Sequence, residues 1–130
     1  MIGTSYFASR VVKAVKGKPV RLVSISLVTR YCKCERYKAL APTKEMIELA
    51  HAGKFDEYTK RYREEILSKL DPLKAYEELD GAILLCWEKS GSFCHRRLVA
   101  EWLEAATGEE VPELDEDSIV AFELKFRKAS

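Results

Sequence analysis

The residues of this 130-residue chain whose types and spacing suit chemistry are concentrated between Cys86 and Arg97. The order there is Cys86-Trp87-Glu88-Lys89-Ser90-Gly91-Ser92-Phe93-Cys94-His95-Arg96-Arg97. The pattern predicts an apolar strand that ends near Cys86 and Glu88, a short loop, and a helix opening at Cys94. A helix start offers unpaired N–H groups and the positive end of the macrodipole. A thiol placed there ionises below its ordinary value of about 8.5, and an anion is drawn to the same donors. Cys94 is therefore the candidate nucleophile, partly exposed and faster to react than Cys86, with His95 or Glu88 as base or orienter. Cys86, Arg96, Arg97, Tyr6 and Ser26 are the candidate ligand-binding residues, Arg96 through a charge-assisted bond.

Each of these residues also has a structural use. Buried cysteine often serves as a small hydrophobe, which suits Cys86. Glu88 can cap the helix, and Arg96 can bridge to a carboxylate such as Glu88. Neighbouring residues on a helix point different ways, so a direct Cys94–His95 pair is awkward there. Three functions stay open. The leading one is a site for a nucleotide or another phosphate, cradled by the loop and the helix start. The others are a thiol enzyme and a non-catalytic interaction module. Neither a Gly-x-Gly-x-x-Gly nor a Walker pattern is present. A Cys-x(5)-Arg phosphatase spacing is absent too, since Ser92 and Ala100 stand where its arginine would be.

Two further cysteines, Cys32 and Cys34, are a Cys-x-Cys pair. With Cys86, Cys94 and His95 they suggest a four- or five-ligand metal site, but zinc sites usually show Cys-x(2–4)-Cys, so no metal and no cofactor is expected. Four cysteines allow three full pairings, and the eight-residue offset leaves a Cys86–Cys94 disulfide open. The basic-aromatic run at Tyr58, Lys60, Arg61, Tyr62 and Arg63 reads as a solvated face with its tyrosines turned inward, not as a nucleic-acid surface. His51 reads as a surface residue.

The elements that must position these groups follow from periodicity. Strands are predicted at Ile2–Phe7, Val20–Val28 and Ala82–Trp87, the last apolar enough to be central and covered on both faces. Helices are predicted at Ser9–Lys16, Lys44–Ala52 capped by Thr43, from Phe55 along the stripe Tyr58-Tyr62-Ile66-Leu70, after Asp71-Pro72, and at Cys94–Thr107. Thr29–Pro42 reads as a loop. Val120, Phe122, Leu124 and Phe126 alternate with polar neighbours, as in a C-terminal edge strand that could pair a homodimer. The chain is thus an α/β protein: a single three-layer α/β/α sandwich over residues 1–130, Rossmann-like, with a mostly parallel sheet. Its ligands belong beyond the carboxyl ends of the strands.

Composition narrows the function. Hydrophobic residues are 47% and charged residues 33%, which excludes a disordered chain. Lys plus Arg is 22 against 21 for Asp plus Glu, a net charge of +1 that suits neither a nucleic-acid coat nor a polybasic membrane binder. No apolar run reaches membrane-spanning length, and Met1 to Ser5 do not open a leader, so a cytoplasmic monomer or homodimer is expected. The chain contains no Asn and no Gln. Loss of these thermolabile amides points to a hyperthermophilic source, whose cytosol tolerates disulfides.

Cys86-Trp87-Glu88-Lys89, Phe93-Cys94-His95-Arg96 and Val99-Ala100-Glu101-Trp102-Leu103 together resemble the domain-of-unknown-function 488 family. The likeness extends to Thr4-Ser5-Tyr6-Phe7, Leu40-Ala41-Pro42, and Tyr62 with Ile66-Leu67 and Leu70-Asp71-Pro72. The resemblance implies a small Rossmann-like α/β domain with its hot spot at Cys-x-Glu…Cys-His-Arg, and it implies no reaction. Many members carry Asp-x-Arg near the end of the second strand. Here that region reads Ser24-Ile25-Ser26-Leu27-Val28-Thr29-Arg30, where only Arg30 supplies a charge.

Overall fold

The computed structural model describes residues 1–15, 17–27, 34–88 and 93–114. The expected C-terminal strand, Arg30 and Cys32 lie outside the described residues, as do 89–92 of the loop. The strands are β1 (Gly3–Tyr6), β2 (Arg21–Ser24), β3 (Glu35–Arg36) and β4 (Ala82–Cys86). The helices are α1 (Arg10–Ala14), α2 (Lys44–His51), α3 (Phe55–Glu65), α4 (Pro72–Leu79) and α5 (His95–Thr107), with single 3-10 turns at Lys38–Leu40 and Leu67–Lys69.

The sheet is parallel throughout, in the order β1-β4-β2-β3. Its centre is β4, whose Leu84 stands opposite Thr4 of β1 and Val23 of β2. All five residues of β4 are buried, as its unbroken apolar run demands. The period-2 alternation sends Ala82 and Leu84 to one face and Ile83 and Leu85 to the other. The first face packs with Ile2, Val23, Ile25 and the inner residues of α2 to α5. The second meets Val11 and Val15 at α1, together with Leu114. Helices thus lie on both faces, one layer thick and one thin. The order places β4 between β1 and β2, whereas dinucleotide-binding folds keep the first strand between the second and fourth.

The cap residues act as their side chains suggest. Ser9, Thr43 and Asp71 each accept a backbone N–H at the start of α1, α2 and α4, and Pro72 takes the first position of α4. Gly108 ends α5 in the left-handed region at φ 72°, where only a residue without Cβ is unstrained. Some boundaries differ from expectation. The α3 stripe breaks at Glu65, and Leu67 and Leu70 reach the core from the following 3-10 turn and its end. The expected loop before Pro42 contains β3, which joins the sheet for two residues. The central strand stops one residue early, leaving Trp87 exposed with its ring tilted against Phe7 at 4.7 Å between centroids. Beyond α5, Thr4 and Glu113 form an isolated bridge.

Leu84→Ala should cost about 3 kcal/mol, read as a lower urea midpoint at unchanged slope. A loss below about 1 kcal/mol would contradict a position covered on both faces.

Candidate functional site

The parallel topology aims the carboxyl ends of β2 and β4 at the start of α5. Between them lies a cavity of about 280 Å³, bordered by Ser26, Pro42, Tyr58, Cys86, Glu88 and His95 among others. Cys94 also borders it, as the N-cap of α5. Its backbone is extended (φ −155°, ψ 144°), and its side chain makes no capping bond. This corrects the expectation that Cys94 and His95 diverge. Because Cys94 precedes the first helical turn, its Sγ turns back to 3.7 Å from His95 Nδ1. Cys94 is also less open than expected, only 6% exposed, because the extended N-cap points its sulfur inward.

His95 is held from the other side. Its Nε2 lies 2.6 Å from the carbonyl oxygen of Ile25, which can only accept, so Nε2 carries the proton. In the neutral ring Nδ1 is then a bare lone pair facing Cys94. Burial pushes the imidazole down to about 4, opposed by the Ile25 bond and aided by the nearby Arg96 charge. Tyr62 lies against the ring at 5.4 Å and anchors its own hydroxyl on the Leu40 carbonyl.

Cys86 Sγ and Cys94 Sγ are joined in a disulfide, which overturns the expectation of a free, faster-reacting Cys94 in the native chain; thiol chemistry belongs to the reduced chain. Arg96 is 1% exposed and fully engaged. It forms a fork on Glu113, with Nη2 to Oε2 at 2.7 Å and Nε to Oε1 at 3.0 Å. Its Nη1 donates to the Glu88 carbonyl at 2.7 Å and reaches Cys86 Sγ at 2.9 Å. Tyr6 covers it, with the guanidinium carbon 5.9 Å from the ring centroid. Arg97 donates to Thr4 Oγ1 and to the Val111 carbonyl.

The structure therefore brings Cys86, Cys94, His95, Ser26 and Glu88 to one cavity. It sets Arg96, Arg97 and Tyr6 behind that cavity as supports. Glu88 offers Arg96 its carbonyl, and its exposed carboxylate faces Tyr58, whose hydroxyl is pushed up by burial and by that charge. Ser26 is 5% exposed, and its Oγ has no hydrogen-bond partner among the described residues. His51 is exposed, as expected, but also sits on the cavity rim. Cys34 is half-buried and does not border the cavity.

Sequence reasoning missed Glu113, the Ile25 carbonyl and the cavity role of Tyr58. Glu113 lies 17 residues beyond Arg96 with no spacing signal. A backbone carbonyl has none by nature. Tyr58 was visible only as a core residue on the α3 stripe.

Fold and site together define a parallel-sheet α/β protein with a two-cysteine, one-histidine cluster at the strand ends. The family model DUF488-N3a, described as the active DUF488-N3 subclade, matches residues 7–107, and the chain belongs to that family. No curated protein and no solved structure matches the chain.

Two outcomes follow from the buried charges. The folded imidazole resists the proton that the unfolded one accepts near 6.5. His95 thus contributes stability in full above about pH 6.5, lost as pH falls toward 4, by about 3 kcal/mol at most. Urea midpoints across that range should fall less steeply in His95→Gln, whose amide can still donate to Ile25. Glu113→Ala leaves the Arg96 guanidinium without its carboxylate and should cost about 3 kcal/mol by the same measurement.

Proposed function

We propose that the chain is a thiol-dependent protein that acts on a small uncharged molecule held in the strand-end cavity. Cys94 is the nucleophile and His95 the proton acceptor. The observation that carries this reading is the Nδ1 lone pair of His95, fixed by the Ile25 carbonyl and aimed at Cys94 Sγ. In the reduced chain Nδ1 takes the Cys94 proton only as the sulfur attacks, because the buried imidazole resists a standing positive charge, and the developing thiolate lies at the positive end of α5. That sulfur adds to the electrophilic carbon of a polarised double bond in the bound molecule, and the π electron pair displaced from that carbon takes up the proton held on Nδ1. A cytoplasmic setting suits this use, because its reductants return the disulfide to two thiols.

The ligand class follows from the walls. Leu27, Pro42, Ile47, Trp87 and Phe93 are apolar, and the charged side chain among the described lining residues is the carboxylate of Glu88. Binding of a nucleotide or other phosphate keeps the helix start but finds Arg96 and Arg97 committed to protein partners. An uncharged ligand therefore fits better than an anion.

The test uses two small electrophiles of equal reach, neutral iodoacetamide and anionic iodoacetate, on the reduced chain. Mass mapping after short pulses should show Cys94 labelled ahead of Cys86. Its preference for the neutral reagent should exceed that of glutathione at least tenfold. His95→Gln should slow Cys94 labelling at pH 7 by about 100-fold, the scale of lost general-base help. Equal labelling of the two cysteines, or protection of Cys94 by phosphate or ATP, would overturn the reading.

A further inference from the structure

We infer that Cys86, Cys94 and His95 form, in the reduced chain, a binding site for one zinc ion. This goes beyond the thiol reading, since an ion on Cys94 withdraws that sulfur from nucleophilic use. The three ligand atoms, Sγ, Sγ and a ring nitrogen, all lie within 4.8 Å of one another, and all three residues are buried. Two soft thiolates and an imidazole are a donor set zinc favours, and three protein ligands with one open position is the pattern of its reactive sites.

The distances fit. Zinc bonds of about 2.3 Å to sulfur and 2.0–2.1 Å to nitrogen place tetrahedral S and N ligands about 3.6 Å apart. Cys94 Sγ and His95 Nδ1 are 3.7 Å apart. The Cα atoms of Cys86 and Cys94 are 7.3 Å apart, wider than the range of about 4.4–6.8 Å usual for a disulfide. That spacing gives the two sulfurs room to separate to the roughly 3.8 Å of two thiolates on one ion.

The supporting groups are those a metal ligand needs. A ligating histidine donates its other N–H to an orienting acceptor, here the Ile25 carbonyl, which leaves Nδ1 for the ion. Arg96 Nη1 donates to Cys86 Sγ and so stabilises its thiolate. The charges close as well: two thiolates balance Zn²⁺, and Arg96 is balanced by Glu113. A buried cluster without net charge avoids the cost of an unpaired ion. Ser26 borders the same cavity as the three ligands, and its hydroxyl, without a partner among the described residues, can bond a water in the fourth position. Binding displaces the two thiol protons to solvent, and oxidation to the disulfide removes both sulfur ligands.

The experiment titrates Co²⁺ and then Zn²⁺ into chain reduced with a phosphine, without oxygen. The expected result is one ion per chain, with thiolate-to-cobalt charge-transfer absorption bleached by zinc. The oxidised chain should bind none. Cys86→Ser and Cys94→Ser should each weaken binding at least tenfold, while the Cys32→Ser/Cys34→Ser double variant retains it. X-ray absorption of the zinc-loaded wild type should show two sulfurs and one imidazole nitrogen, a readout that needs no folded His95 variant. Absence of charge-transfer absorption in the folded, reduced wild type overturns the inference. So does undiminished binding in Cys86→Ser or Cys94→Ser, or a shell without nitrogen. The alkylation test is run metal-free, so either idea can fail without the other. Zinc should also protect Cys94 from iodoacetamide.

Discussion

A guanidinium cannot be left unpaired in an apolar interior, and Arg96 is almost wholly buried. Its requirement for partners organises one end of the molecule. The fork on Glu113 draws the segment after α5 back over the sheet, where Thr4 and Glu113 bridge and Leu114 seals the thinner core. The bond to the Glu88 carbonyl fixes the chain just beyond β4. The contact with Cys86 Sγ ties the same cation to the cysteine pair. A residue whose charge suggests a ligand is thus consumed in joining a strand end, a helix start and a returning segment. The cavity in front of it is left with mostly apolar walls.

How far this was legible in the sequence depends on the range of the interactions. The central position of β4 could be read because an unbroken apolar run is stable only when both faces are covered, a property local to five residues. The caps at Ser9, Thr43 and Asp71 were equally local. The cluster of Cys86, Cys94 and His95 was legible as a motif. Its geometry was not, because the Cys94–His95 contact depends on whether residue 94 is the first helical residue or the cap before it. One position at a helix boundary decides whether the two side chains diverge or meet. Glu113 as the partner of Arg96 was beyond reach, since the pairing is set by how the chain returns after Gly108 and no spacing encodes it.

The histidine illustrates how a modest hydrogen bond directs chemistry. The Ile25 carbonyl belongs to no recognisable motif, yet by accepting from Nε2 it selects the tautomer that turns a lone pair toward sulfur. Tyr62, held by its own bond to Leu40, limits the tilt of the ring. Substitutions in α3 that release Tyr62 therefore act on the cluster without touching it.

The strand order also bears on how the chain is made. β1 pairs along its length with β4, whose residues follow it by about eighty positions, and on its other edge Thr4 bonds the still later Pro112 and Leu114. During synthesis from the amino end, β1 therefore emerges long before the strand that will accept its hydrogen bonds. Closing so long a loop costs entropy before any pairing repays it, which makes this a slow-forming contact. Until β4 arrives, β1 presents unsatisfied backbone edges of the kind that recruit other chains. Successful maturation of this molecule thus depends on shielding its first strand until its last described strand exists.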